Sequence, residues 1–278
     1  MFYKVGIFAL TLLVGSLAVP AQDDLSIFFD HTDSGSRIVG GTVAGSVPWM
    51  AALTNGLLVR SLWCGASIIS DRHLLTAAHC IDGAFSWGSL SSSLRATVGT
   101  NRWNSGGVHY DFAGNITHPN YVKGIIKNDI GILVTRNAIR FTASIAPVTL
   151  NFDNIGAGVP TTVNGWGRTR AGGAISAQLL ELQAATIDGL LCMIEVPRVA
   201  NDLNLPQRPP PVEPHIEICT FHSVNHGTCN GDSGSALIRR DNRQQIGIVS
   251  WGLPCARGAP DMFARVSAYK SWIERSVL

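Results

Sequence analysis

Short apolar runs alternate along this chain with clusters of glycine, proline, serine and asparagine. Leu57–Trp63, Ala66–Ile69, Ile130–Val134, Gln178–Ala184 and Gln245–Trp251 are examples, each too brief for an ordinary helix and each bounded by turn residues. Many short strands with few helical periods predict an all-β sandwich or barrel. Two segments depart from that pattern. Val266, Tyr269, Trp272, Ile273 and Val277 recur near helical spacing, so 267–278 is expected to form one amphipathic helix with its apolar stripe in the core. Pro197–Pro214, which contains Pro206-Gln207-Arg208-Pro209-Pro210-Pro211, holds too much proline for a central strand and is expected to be an extended surface loop.

The N-terminus follows a different pattern. Lys4 precedes an apolar run from Val5 to Val19, and Val19-Pro20-Ala21 resembles the small-residue site at which secretory leaders are cut. The run falls short of the roughly 20 residues that a bilayer span requires. Residues 1–21 therefore read as a signal peptide, which places the mature chain outside the cell with no membrane attachment. The next residues are acidic, with Asp23, Asp24, Asp30 and Asp33, and end at Arg37 before Ile38-Val39-Gly40-Gly41. A basic residue ahead of an apolar, glycine-rich sequence is a plausible cleavage point, which makes 22–37 a propeptide.

The 278 residues are 46% hydrophobic and only 14% charged, enough for a substantial core and too apolar for disorder. A net charge of +2 gives no reason to expect a nucleic-acid partner. In an oxidising compartment the six cysteines read as disulfides, although six allow 15 pairings by sequence alone. No C-x-x-C pair is present, and neither a metal nor an organic cofactor is expected.

The chemistry resides in three short motifs. A serine is a poor nucleophile at neutral pH unless a base takes its proton and fixed donors stabilise the oxyanion that forms. Gly231-Asp232-Ser233-Gly234 offers the serine, Thr76-Ala77-Ala78-His79-Cys80 the base, and Asn128-Asp129-Ile130-Gly131 a carboxylate to orient that base. The order His, Asp, Ser is one of three in which this geometry recurs.

With Ile38-Val39-Gly40-Gly41 before them and Ser250-Trp251-Gly252 after, these motifs resemble the chymotrypsin-like serine endopeptidases over essentially all of 38–278. The resemblance implies two six-stranded antiparallel β-barrels, about 38–150 and 151–265, followed by the C-terminal helix. It implies Ser233 as nucleophile, His79 as general base and Asp129 as its orienting partner, with the Gly231 and Ser233 N–H groups as the oxyanion hole. Ser250 would hydrogen-bond the buried aspartate, and Trp251-Gly252 would pair with the substrate backbone as an added strand. Cleavage after Arg37 by a trypsin-like protease would free an ammonium on Ile38 to pair with Asp232. The implied disulfides are Cys64–Cys80, Cys192–Cys219 and Cys229–Cys255, the second spanning an unusually long loop.

The implied partners are protein or peptide substrates, the activating protease and protein protease inhibitors, with the enzyme itself a monomer. Ser235-Ala236 and Ala66 depart mildly from the family's pattern. The pocket departs more. Gly227 stands where a trypsin carries aspartate, and Asp261 where glycine is usual, a combination similar to arthropod chymotrypsins and collagenolytic digestive proteases. An uncharged pocket base favours aromatic or leucine side chains. Asp261 is expected to block the pocket in part, to solvate a basic side chain, or to turn into a hydrogen-bond network. The rival readings are a broad-specificity or cascade protease and, from another class, a catalytically silent secreted binding homologue.

Overall fold

This computed structural model describes Phe28 and residues 39–277, apart from Trp87, 168–173, Asn230 and 254–255. The expected signal peptide, Arg37 and Ile38 lie outside the described residues.

Among the described residues, fifteen short strands account for most of the regular structure. Those from the first half of the chain are β1 (Thr42–Val43), β2 (Met50–Asn55), β3 (Ser61–Ile68), β4 (His73–Thr76), β5 (Phe85–Ser86), β6 (Ser89–Leu90), β7 (Arg95–Val98), β8 (Val108–Thr117) and β9 (Gly131–Thr135). The second half supplies β10 (Pro160–Gly165), β11 (Leu180–Thr186), β12 (Glu217–Phe221), β13 (Ala236–Arg239), β14 (Gln245–Trp251) and β15 (Asp261–Arg265). Strands β2-β3-β4-β9-β8-β7 close into one antiparallel barrel. Strands β11-β10-β13-β14-β15-β12 form the other, closed where Ala185 pairs with Phe221 and Thr186 with Thr220. Two six-stranded barrels are thus present, as expected. Strand β1 adds to the outside of the second barrel through Thr42 opposite Glu181, and β5–β6 is a separate ribbon.

Closure removes the exposed edges that short strands otherwise present, and each barrel is filled by its own inward-facing residues. Leu53, Ile68, Leu74, Leu75 and Leu133 are fully buried in the first, and Val163, Leu182, Leu237 and Phe263 fill the second. A further apolar cluster that includes Trp49, Met50, Trp166, Leu179 and Ile238 draws on strands of both. After β15 the chain makes a 3₁₀ turn, Val266–Tyr269, and then helix α3 (Lys270–Val277). Tyr269 and Ile273 join the first barrel's core, so the last segment of the chain clasps the two halves together.

Two expectations change. Leu57–Trp63 is not one strand: Leu57, Leu58 and Val59 form the tip of the β2–β3 hairpin and are 85%, 100% and 84% exposed. Gly56 sets that turn at φ +116°, where a side chain would meet the Val59 carbonyl. The Arg60 guanidinium then pins it to the Gly56 and Ser93 carbonyls. Nor is Pro197–Pro214 wholly a loop, because α2 (Gly189–Asp202) runs through its first residues with Pro197 inside the helix. The Asp188 side chain caps this helix by accepting from Leu190 and Leu191 N–H. Its buried face is Cys192, Val196, Val199 and Ala200. That face and the Cys192–Cys219 disulfide outweigh the bond that a helix loses at an interior proline. Among the described residues no helix is long and apolar enough to cross a membrane.

Candidate active site

His79 lies on α1 (Ala78–Asp82), a single turn that starts as soon as β4 ends. Ala77 keeps an extended backbone ahead of it and Gly83 ends it, so the imidazole is held at the rim of the first barrel. Asp129 comes from the loop before β9, a segment in which Ile126 and Asn128 adopt left-handed backbone at φ 50° and 53°. Asn128 secures its end through its side-chain amide to the Asn120 carbonyl.

The Asp129 carboxylate grips the histidine twice. Oδ2 lies 2.7 Å from His79 Nδ1, and Oδ1 accepts the His79 backbone N–H at 2.8 Å. The Ser250 hydroxyl donates to Oδ2 at 2.6 Å from the second barrel. Burial alone would raise the Asp129 pKa. The His79 charge, the two bonds from His79 and the Ser250 hydroxyl outweigh that and hold the carboxyl below its ordinary value. Asp129 is therefore a buried anion that holds His79 by both its ring and its backbone.

Ser233 belongs to a loop of the second barrel that packs against the first. Its carbonyl accepts the Gly65 N–H at 2.8 Å, and Gly65 follows Cys64, whose disulfide to Cys80 adjoins His79. Gly234, at φ +80°, comes so close to Thr76 and Gly65 that a Cβ there would lie 2.2 Å from Thr76 Oγ1 and 2.3 Å from the Gly65 carbonyl. The serine loop is thus fitted against the strand that delivers the histidine. Gly231 takes φ +94°, backbone that favours glycine. Cys64, His79 and Cys80 lie close enough to suggest a metal set. Both sulfurs are consumed by the disulfide, so no thiolate ligand remains.

Asp232 is fully buried. Its oxygens accept Gly167 N–H at 2.8 Å and Cys229 N–H at 3.2 Å, and no cation pairs with it among the described residues. Burial, only partly offset by those two bonds, pushes its pKa up to about 8, with Asp261 adding repulsion. Ile38, the expected partner, lies outside the described residues. Its neighbour Val39 is in register, pairing with Gly227 through N–H to carbonyl bonds in both directions.

Gly227 and Asp261 face each other, since a Cβ on Gly227 would sit 3.0 Å from Asp261 Oδ2. Of the three outcomes expected for Asp261, the hydrogen-bond network is present. Thr228 N–H donates to Oδ2 and the Thr228 hydroxyl to Oδ1, each at 2.9 Å. Burial still dominates over these bonds and raises Asp261 to about 7.

Ser250 and Trp251 end β14, and Gly252 follows directly after it. Trp251 is held by residues that no motif flagged. Its indole N–H donates to Glu217 Oε1 at 2.8 Å, the same oxygen accepts Lys127 Nζ at 2.6 Å, and Lys127 lies 5.1 Å from the indole ring centre. Lys127 stands two residues before Asp129, which was a signal of sorts, but its partner is 90 residues away. Gly165 and Gly167 were missed too. A side chain at either would collide with the Asp232 carboxylate, and their glycine-tryptophan-glycine sequence is the cue that was available.

Two of the implied disulfides, Cys64–Cys80 and Cys192–Cys219, are formed. Cys229 is disulfide-bonded, while Cys255 lies outside the described residues.

The profile of the Trypsin family matches residues 38–273. Chymotrypsin-2 of Vespa crabro is 34% identical over 246 residues, covering 87% of this chain and 100% of that protein. Serine protease SP24D of Anopheles gambiae is 34% identical over 87% of this chain and 82% of its own length. Trypsin alpha-4 of Lucilia cuprina is 31% identical, with 85% and 86% covered.

Proposed function

The chain belongs to the trypsin family of serine endopeptidases, and on that premise we propose that it is a secreted zymogen which cleavage after Arg37 converts into a chymotrypsin-like protease. Ser233 Oγ attacks the scissile carbonyl as His79 Nε2 takes its proton. Asp129 holds the ring in the tautomer that this requires and stabilises the imidazolium that results. The tetrahedral oxyanion is met by the Gly231 and Ser233 N–H groups, where losing one donor typically costs about 10²–10³ in rate. His79 then protonates the leaving amine, and water hydrolyses the acyl-enzyme by the same route in reverse.

The observation that carries this reading is the buried chain from Ser250 through Asp129 to His79, with the Ser233 loop seated against Thr76 and Gly65. A structural histidine has no need of a desolvated carboxylate gripping both its ring and its backbone. The zymogen reading is supported by Asp232, a buried carboxylate with no cation among the described residues, which a new ammonium on Ile38 would neutralise. An aromatic or leucine preference is supported by Gly227, and by an Asp261 whose oxygens are already engaged by Thr228. Physiological partners would be protein substrates, a trypsin-like activator and protein inhibitors acting on a monomer, and no metal or organic cofactor takes part.

A phosphonylating reagent specific for active-site serines tests the assignment. The chain cut after Arg37 should be labelled at Ser233 and lose activity in step, whereas its Ser233→Ala variant should take up no label. An unlabelled Ser233 in the correctly cut chain would favour a binding homologue instead. The Arg37→Gln chain should be inactive, and full activity without cleavage would refute the zymogen.

A further inference from the structure

Phe28 lies well ahead of the barrels, within the segment that the proposed activation removes, yet its side chain is only 3% exposed. It belongs to the apolar triplet Ile27-Phe28-Phe29, which interrupts an otherwise acidic stretch. A propeptide with no role beyond being cut off would leave its aromatic ring in water.

The ring makes an edge-to-face contact with Trp251, with centroids 6.5 Å apart and planes at 80°, a favoured aromatic geometry. It joins the buried cluster that includes Ile126, Trp251 and Leu253. The backbone is engaged as well, because the Gly252 N–H donates to the Phe28 carbonyl at 3.3 Å. An extended peptide added to an exposed strand makes this same combination, a main-chain bond to the edge and a side chain in a neighbouring pocket. The receiving surface is fixed from behind, with the Trp251 indole bonded to Glu217 and Glu217 bonded to Lys127. Ile126 reaches the pocket through a left-handed backbone that a β-branched residue rarely adopts.

We infer that Phe28 makes the propeptide a pseudo-substrate, docked in the cleft of the uncut chain and expelled by the cut that activates it. The inference rests on the reading of Trp251-Gly252 as the edge that receives substrate. Phe28 and Arg37 are nine residues apart. Short tethers hold a ligand at an effective concentration on the order of millimolar, so even a weak contact keeps the site filled. Cleavage after Arg37 turns the tethered ligand into a free peptide, and the same contact then fails at ordinary concentrations. One cut would therefore clear the substrate edge and release the Ile38 ammonium.

Two experiments decide the matter. Hydrogen exchange on the full uncut chain reads docking without any need for activity. Phe28→Ala should speed exchange of the Gly252 amide at least about tenfold, as expected for loss of a buried aromatic anchor, and leave β8 unchanged. An unaltered Gly252 rate overturns the docking. A synthetic peptide of residues 22–37, added to the chain cut after Arg37, should raise KM for a peptide substrate at constant kcat, and its Phe28→Ala version should be at least about tenfold weaker. No inhibition, or inhibition confined to kcat, overturns the pseudo-substrate role. If the cut chain hydrolyses no peptide at all, the protease reading falls, and the exchange result still decides whether Phe28 docks.

Discussion

Lys127 and Glu217 form a 2.6 Å ion pair between a loop of the first barrel and the first residue of β12, with side chains only 3% and 5% exposed. Bringing both charges out of water is costly, and the pair is tolerated because its geometry is close and Glu217 is further satisfied by Trp251 N–H and Glu213 N–H. Losing either partner strands the other in an apolar setting.

Lys127→Met or Glu217→Leu alone should therefore cost about 3–5 kcal/mol in urea unfolding, whereas the double variant should cost far less than the sum. Glu217→Leu should also raise KM for peptide substrates, since the Trp251 indole N–H loses its acceptor. Additive losses would show that the two residues do not act as a pair.

Asp129→Asn keeps the size of the side chain but places an amide where His79 requires an anion. For this kind of triad the exchange costs about 10⁴ in kcat with the fold intact. Ser250→Ala removes one neutral donor to the same carboxylate and should cost much less, with most of the loss in kcat. Initial-rate kinetics on one peptide substrate at fixed pH will separate the two.

Gly227→Asp alone should fail to create a preference for arginine. The new side chain would start about 3.0 Å from Asp261 Oδ2, so two carboxylates would crowd one site and repel. Paired with Asp261→Gly, the same substitution should switch the preferred side chain from Phe or Leu to Arg. Rates on Phe, Leu, Arg and Ala peptides will check this, and dominant arginine cleavage by the unaltered enzyme would overturn the proposed specificity.

Asp129 and Asp232 make opposite contributions to stability as pH changes. Asp129 is held below its ordinary 3.8, so its contribution is present above that value and is lost as pH falls through the folded pKa. Asp232 is pushed up to about 8 from the same 3.8, so the uncut chain binds more protons than the unfolded one between those values. Its stability contribution is present below 3.8 and fades as pH rises to about 8. In an Arg37→Gln background, adding Asp232→Asn should improve Tm relative to the parent as pH goes from 4 to 8. A difference that stays flat with pH would contradict the buried carboxylate. In the cut chain the same substitution should be strongly harmful.

What sequence revealed here was local. His79, Asp129 and Ser233 sit in short motifs, and the glycine-punctuated apolar runs pointed to a sandwich or barrel because strands and turns are set by neighbouring residues, while the two six-stranded barrels followed only from the family resemblance. Helix α2 was concealed by Pro197, although Asp188 as a cap and the spacing of Cys192, Val196, Val199 and Ala200 were there to read. The Lys127–Glu217 pair and the seat of Phe28 on Trp251 were out of reach. Each joins residues far apart in the chain, and neither periodicity nor composition records which distant side chain fills a given space. The exposed Leu57-Leu58-Val59 tip reads as strand for the opposite reason, because an apolar run does not by itself show that Gly56 and Arg60 turn the chain there.

The fit of Gly234 against Thr76 and Gly65 also governs when this chain becomes dangerous. Neither barrel owns the chemistry. The first carries a histidine with nothing to activate, and the second a serine with no base. A ribosome that has released only the first barrel has made no hydrolase, and a misdocked pair of folded halves is equally inert. Even the proposed cleavage after Arg37 has nothing to switch on until the two halves have docked, so a half-built molecule has no capacity to cut its neighbours.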